Sequence, residues 1–255
     1  MIIEAPIAPV ASYALRRADD ALILGHRLSE WTGKAPILEE EMALANMALD
    51  LIGQSRVLYS YAAEIEGKGH TEDDFAFLRR ERDYRNILLV ERPNGDFAHT
   101  MLRQFFFAAF MYPYWRAMMA SKDATLGAIA AKAEKEIAYH LRHSTEWVMR
   151  LGDGTAESHR RLADALADLW AYTGELFEAD ADEQALIAQG ILVDPETLRT
   201  LWTATVSDTL TAANLDMPQA AWMQTGGRHG QHSENLGHLL SELQYMQRMI
   251  PGAVW

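Results

Sequence analysis

The stretch MALANMALDLIGQSRVLY at residues 42–59 decides how the chain is expected to fold. Apolar residues occupy nearly every side of a helix drawn through it, which predicts a helix at the centre of a helical bundle. Asn46, Asp50 and Gly53 fall on one face of that helix. A carboxylate in such surroundings needs a partner, because an unpaired buried charge costs too much free energy. Asp50 is therefore the first candidate functional residue.

Further helical stretches lie on both sides of this one, separated by short turn signals, and no useful length of sequence alternates as a β-strand does. The segment RNILLVERPNGDF at 85–97 is predicted to be an irregular crossover in the middle of the chain. The predicted helices cover roughly residues 9–31, 36–66, 71–80, 97–121, 124–151, 155–178, 195–215 and 233–250. Two long hairpins around one crossover predict an all-α, ferritin-like four-helix bundle with additional C-terminal helices, as a single domain over residues 1–255.

Composition and charge exclude several classes of function. The net charge is −13, and residues 151–255 carry 15 acidic but only 5 basic side chains. Such a surface repels phosphate backbones and anionic lipids, so neither nucleic acid nor a membrane is an expected partner. The absence of cysteine excludes disulfides and thiolate metal sites. The N-terminus MIIEAPIAPVASY lacks the features of a signal peptide, which predicts a cytoplasmic protein.

A ferritin-like bundle raises the question of a carboxylate di-iron centre. Each core helix of such a centre supplies an inward carboxylate, and two helices supply a histidine three residues after a glutamate. Here Gly53 stands three residues after Asp50, and Tyr139 stands three residues after Glu136. The spacing that the iron ligands require is therefore lost on both the second and the fourth long helix.

The other two helices are also short of ligands. Asp20 is the nearest candidate carboxylate on the first helix, whereas Thr100 and Gln104 occupy the inward polar positions of the third, where an acid is needed. His140 and His143 form an i, i+3 pair that could in principle hold a metal. We therefore prefer a buried polar network in which Asp50 and Glu136 pair with Lys132, Asn46 or the histidines, in place of a metal.

The segment QTGGRHGQHSENLGHLL at 224–240 is rich in glycine and histidine. Its two glycines before a basic residue suggest phosphate binding. It matches neither the P-loop nor the dinucleotide-binding fingerprint, so no ligand is assigned to it.

Long segments of the chain resemble the C-type subunits of phenylacetyl-CoA epoxidase, a family of phenylacetate-degradation proteins. The similarity extends over about residues 20–249. The segments that carry it are ILGHRLSEWTGKAPILEEEMALANMALDLIGQSRVLYSYAAE (23–64), LLVERPNGDFAHTMLRQF (88–105), EIAYHLRHSTEWVMRLGDGTAESHRR (136–161) and GGRHGQHSENLGHLLSELQ (226–244).

This resemblance implies a ferritin-like fold and a place in the complex that converts phenylacetyl-CoA to its ring 1,2-epoxide with molecular oxygen. In that family the A-type protein is the catalytic one and holds the di-iron centre, and the C-type protein is its structural paralogue, whose metal site has decayed. The resemblance therefore implies no cofactor in this chain and the catalytic A-type paralogue as its partner, with other members of the complex or a second copy as further candidates. The degenerate metal-site positions would be Asp20, Asp50, Gly53, Gln104, Glu136, Tyr139 and His140.

Two other functions remain open. The chain could be a di-iron oxygenase in its own right, which would use Asp20, Asp50, Glu136, His140 and His143 to activate oxygen. A ferritin-like storage protein needs the same missing acids and is less favoured. The iron content of the purified chain distinguishes a structural subunit from a di-iron enzyme.

Overall fold

The computed structural model describes residues 8–219 and 222–252. Over these two ranges the chain forms eleven α-helices and no β-strand, which confirms the predicted all-α class. The helices are α1 (Pro9–Ser29), α2 (Leu38–Glu66), α3 (Glu72–Phe77), α4 (Leu88–Glu91), α5 (Phe97–Met118), α6 (Ala124–Gly152), α7 (Ala156–Leu169), α8 (Ala181–Ala188), α9 (Arg199–Ala212), α10 (Glu234–Leu243) and α11 (Tyr245–Met249). Within the described residues, no helix combines the length and the apolarity that crossing a membrane requires.

Four long helices form the bundle. α1 packs along α2, and α5 packs along α6, so the chain makes two hairpins, and α2 joins them by contacting α6. The short helices α3 and α4 lie in the connection between the hairpins. This arrangement is the predicted four-helix bundle with a mid-chain crossover.

The central helix of the bundle is α5 and not α2. The aromatic run Phe105–Phe107 and the residues after it to Met111 are buried, and α5 packs against α6, α7 and α9. α2 instead leaves apolar side chains such as Leu38 and Leu49 exposed, so the predicted central position of α2 is wrong. A helix can be apolar all round for two reasons: it is enclosed by its own chain, or it has one face for its own core and another for a partner.

The helix ends follow local capping signals where these exist. Thr71 and Asp74 form a capping box at the start of α3. Asp180 and Glu183 form another at the start of α8, a helix that the periodicity did not predict. The helix predicted over 155–178 ends at Leu169, and two 3₁₀ turns follow it. The C-terminal part of the predicted helix is not α-helical, because contacts with distant parts of the chain set its conformation and a local pattern does not reveal them.

Candidate functional site

His140 lies where α2, α5 and α6 meet, and its side chain is fully buried. The Gln104 amide nitrogen on α5 lies 3.2 Å from its Nδ1, and a carboxylate oxygen of Asp50 on α2 lies 3.1 Å from its Nε2. In this arrangement Gln104 donates to Nδ1, and Nε2 carries the proton that His140 donates to Asp50. Both nitrogens of the imidazole are therefore occupied by protein groups, and neither presents a free lone pair to a metal.

Two further contacts join α2 to α6 beside His140. The Gln54 amide donates to Glu136 at 2.8 Å, and His143 Nε2 lies 3.0 Å from a carboxylate oxygen of Glu40. We call the six residues that make these three cross-helix contacts the polar seam. They are Glu40, Asp50 and Gln54 on α2, and Glu136, His140 and His143 on α6.

The polar seam matches part of the predicted network. Asp50 does pair with a histidine, and Lys132 lies 3.5 Å from Glu136. The expected burial is wrong, however, because the side chain of Asp50 is 35% exposed and that of Glu136 is 17% exposed. Asn46 is exposed and forms no part of the seam. These two acids therefore lie at the edge of the bundle, where water also solvates their carboxylates.

Gly53 faces outward, away from the centre of the bundle. A Cβ atom added to it would meet no other heavy atom within 4 Å. Gly53 lies in a shallow groove between α2 and α6, which Val57 and Ile129 also line. The expectation that Gly53 marks an inward ligand position is therefore wrong, because its Cβ direction leads into this open groove and not into the core. Tyr139 is half-buried, with its ring 5.7 Å from that of His143.

Asp20 lies in a different part of the molecule from the seam. It is buried, and Arg228 binds both its carboxylate oxygens at 3.1 and 2.8 Å. The backbone N–H of Ile87 donates to it at 2.8 Å, and Arg17 lies 3.4 Å away. The prediction that groups Asp20 with the seam residues as a ligand set is wrong, because Asp20 faces the crossover and has its own cations.

The glycine-rich segment provides the partners of three buried acids. We call residues 226–233 the C-terminal clasp. Through Arg228 the clasp binds Asp20, and through the backbone N–H of Ser233, at 2.6 Å, it binds Glu91. The N–H groups of Gly226 and Gly227 each donate to Glu175 at 2.8 Å.

The two glycines of the clasp therefore bind a carboxylate of this same chain where the sequence suggested phosphate. Gly226 has φ +136°, a conformation that side chains disfavour, and a Cβ on Gly227 would lie 2.3 Å from the carbonyl oxygen of Asn86. Glu175 also accepts from the N–H of Leu88 at 2.6 Å. The pattern of the clasp was visible in the sequence, but its acid lies 51 residues away, and no local signal connects them.

A fourth buried acid, Asp19, was missed by the sequence analysis. Arg79 forms a fully buried ion pair with it, the Tyr59 hydroxyl donates to it at 2.5 Å, and the N–H of Arg85 donates at 2.8 Å. Burial raises the pKa of Tyr59 well above its usual value, and the negative charge of Asp19 raises it further. This cluster ties α1 and α2 to the segment between α3 and α4.

These positions do not fit a di-iron centre. Within the described parts of the chain, no group of three or more histidine, aspartate or glutamate side chains is placed to hold a metal ion. Gly53 points outward, Asp20 is bound by Arg228, and Gln104 offers a neutral amide where an acid is needed. A bridged pair of irons needs several carboxylates directed at one point, whereas here each acid is turned to a different partner.

Comparison with known proteins agrees with the resemblance seen in the sequence. Residues 2–255 match the family described as phenylacetic acid catabolic protein. The chain is 49% identical over 246 residues to the C-type subunit of the 1,2-phenylacetyl-CoA epoxidase of Escherichia coli (strain K12). That alignment covers 96% of this chain and 99% of the relative. The predicted resemblance is confirmed over nearly the whole length.

Proposed function

Because the chain belongs to the family of phenylacetic acid catabolic proteins, we propose that it is the non-catalytic structural subunit of a phenylacetyl-CoA 1,2-epoxidase. In this role it pairs with and supports a catalytic paralogue that holds the di-iron centre. The observation that carries the proposal is His140, the one seam histidine that is fully buried, with both ring nitrogens held by Asp50 and Gln104. An imidazole fixed in this way holds α2, α5 and α6 together.

A role in pairing requires a surface, and the exposed face of α2 supplies one. Apolar side chains recur along this face at spacings of 4, 7 and 8 residues, which places them on one side of the helix. We call them the α2 stripe. Its members, with their exposed fractions, are Leu38 (70%), Met42 (59%), Leu49 (66%) and Val57 (39%).

The surroundings of the α2 stripe support this assignment. The groove that begins at Gly53 lies beside Val57 and continues to Ile129 of α6, so a side chain of a partner helix has a recess to enter. Exposed apolar side chains that recur along one face of a helix give a partner helix a surface on which to pack. We propose that an apolar helical face of the catalytic paralogue covers the stripe.

The first test of the proposal is the iron content of the isolated chain. Expressed in iron-supplemented medium and purified, it should carry far less than one iron per chain and show no di-iron absorption. Two irons bound per chain would contradict the structural role and favour the alternative, a di-iron oxygenase active in its own right.

The second test is co-elution with the catalytic paralogue in size-exclusion chromatography at micromolar concentration. The wild-type chain should elute as one complex, and Leu49→Glu should abolish it, because a charge at the centre of the stripe would be buried without a partner. Leu201 on α9 is 53% exposed and lies outside the stripe, so Leu201→Glu is the matched control and should leave the complex intact. Equal co-elution of the two variants would reject the α2 stripe as the pairing surface.

A further inference from the structure

His232 of the C-terminal clasp is a buried histidine whose two ring nitrogens both face oxygen acceptors. Its Nδ1 lies 2.9 Å from a carboxylate oxygen of Glu91, and its Nε2 lies 3.0 Å from the backbone carbonyl oxygen of Tyr84. The side chains of His232 and Glu91 are both fully buried. A carbonyl oxygen can only accept a hydrogen bond, so Nε2 must carry a proton.

The other nitrogen also faces an acceptor, because Glu91 is already surrounded by donors. The N–H of Ser233 donates to one carboxylate oxygen at 2.6 Å, and the amide of Asn86 donates to the other at 3.0 Å. Both oxygens of Glu91 therefore act as acceptors, so Nδ1 of His232 faces an acceptor as well. Both ring nitrogens of His232 therefore face acceptor oxygens, an arrangement that favours the imidazolium over the neutral ring.

We propose that the C-terminal clasp is a proton-dependent latch: one proton bound at His232 holds α10 and α11 against the segment between α3 and α4, and loss of that proton releases them. In the neutral imidazole, one ring nitrogen has a lone pair in place of a hydrogen. That lone pair would face an acceptor oxygen in a site that water does not reach. This unsatisfied buried contact raises the free energy of the closed clasp and so favours its opening.

The charges around His232 set the direction of the pH response. Burial alone would lower the pKa of His232, but the hydrogen bond and the charge of Glu91, the carbonyl of Tyr84 and the charge of Asp19 raise it above its usual value. The cations packed nearby have their own partners. These cations are Arg27 on α1, Arg79 before the crossover, Arg85 within the crossover and Arg228 of the clasp. Two further titratable residues, His229 and Glu234, lie close to His232 in the chain.

Because the pKa of His232 is higher in the folded chain than in the unfolded chain, the stabilisation that it gives is fully present below the unfolded value of about 6.5. It is lost as the pH rises through the folded value. The latch is therefore closed below about pH 6.5 and opens as the pH rises through the folded pKa of His232.

The segment that the latch holds in place is residues 234–249, which follow the clasp in the chain. Leu236 and Leu240 of α10 are buried against the bundle, and the Gln244 amide donates to the carbonyl oxygens of Ala76 and Arg79. These contacts lie after the clasp in the chain, so they are the ones that weaken when it opens.

The test is hydrogen exchange of the full-length chain between pH 6 and 9, followed by mass spectrometry and corrected for the intrinsic rate at each pH. Between the unfolded pKa of about 6.5 and the folded pKa of His232, the opening constant of peptides within residues 234–249 should rise by up to about tenfold per pH unit, because one proton is released on opening, and it should level off above the folded pKa. Peptides of α5 should not change. Protection of residues 234–249 that is independent of pH over this range would overturn the proposal.

A variant and a spectrum make the test specific to His232. His232→Gln should open residues 234–249 already at pH 6 and remove the pH dependence, whereas His70→Gln, which alters a histidine bound to Glu66 outside the clasp, should keep it. The ¹⁵N chemical shifts of His232 in the wild-type chain should show two protonated nitrogens at pH 6, a readout that does not depend on the variant folding. A neutral ring at pH 6 would overturn the proposal.

Discussion

Replacing Asp20 by asparagine keeps the size of the side chain and removes its charge. Arg228, whose guanidinium binds both oxygens of Asp20, is 6% exposed, and the carboxylate is 1% exposed. The variant therefore leaves a guanidinium inside the protein with backbone carbonyls, those of Arg16 and Arg85, as its remaining partners. Breaking a buried ion pair from one side costs about 3–5 kcal/mol. For a chain of this length, the melting temperature should fall by about 6–20 °C.

The assay is thermal and urea unfolding of the isolated chain, followed by circular dichroism at pH 7. Glu136→Ala is the comparison, because Glu136 also pairs with a cation, Lys132, but at the edge of the bundle. It should cost less, about 1–2 kcal/mol, because Lys132 is exposed to water and only the Gln54 amide is left without its acceptor. Both variants remove a carboxylate that pairs with a cation, so the difference between their losses of unfolding free energy reports the effect of burial.

Epoxidation of phenylacetyl-CoA by the reconstituted complex completes the experiment. If Asp20 is structural, any Asp20→Asn chain that folds and assembles should support near-normal turnover per complex. A catalytic ligand would behave in the opposite way, with stability nearly unchanged and turnover reduced by orders of magnitude. That second outcome would refute both the interpretation of Asp20 as an internal ion-pair partner and the proposed non-catalytic role.

Two further predictions use the glycines and the buried tyrosines. Gly53→Ala should stabilise the isolated chain by about 0.5–1 kcal/mol in urea unfolding, because the new methyl group meets no atom within 4 Å and alanine favours the helix. Gly227→Ala should destabilise the chain by more than about 2 kcal/mol or prevent folding, which is the order expected for a severe core clash. Equal effects of Gly53→Ala and Gly227→Ala would show that the clasp is not packed as described. Burial raises the pKa of Tyr84 to about 12, so the stability that this hydroxyl contributes is present below the unfolded value of about 10 and is lost between there and 12. Ultraviolet titration at 295 nm should show fewer tyrosines ionising near pH 10 in the folded wild-type chain than in urea, and equal titration would contradict this.

The long helices could be predicted from the sequence because their signals are local. The 3.6-residue period and the residues at helix ends act within a few positions, and the starts of α1 at Pro9 and α5 at Phe97 agree with the predicted ones. The start of α8 carried such a signal too, in Asp180 and Glu183, but the run is only eight residues long and has no clear apolar period. Short helices held by tertiary packing are the ones that periodicity misses.

The candidate site was harder to predict because its geometry depends on pairs that are distant in sequence. A pairing of Asp50 with one of the histidines was among the predicted alternatives, since both fall on helices that a four-helix bundle brings together. The partner of Asp20 lies 208 residues away in the clasp, in a segment without a regular period. Gly53 shows a different limit. On α2, which is apolar on nearly all sides, sequence alone does not tell which face is inward, so a residue three positions from the seam was assigned to the wrong side.

The buried acids of this chain hold its helices together through contacts within the chain. Asp20 binds a guanidinium with both oxygens, and Glu175 receives three backbone N–H groups. A carboxylate engaged in this way would have to give up some of these hydrogen bonds to coordinate a metal, which would leave buried donors without partners. The acids of the polar seam keep some contact with water, yet Asp50 is bound to the one imidazole that could have joined it as a ligand. Metal binding would therefore have to break contacts that now connect α2, α5 and α6, and the stability of the bundle opposes that exchange.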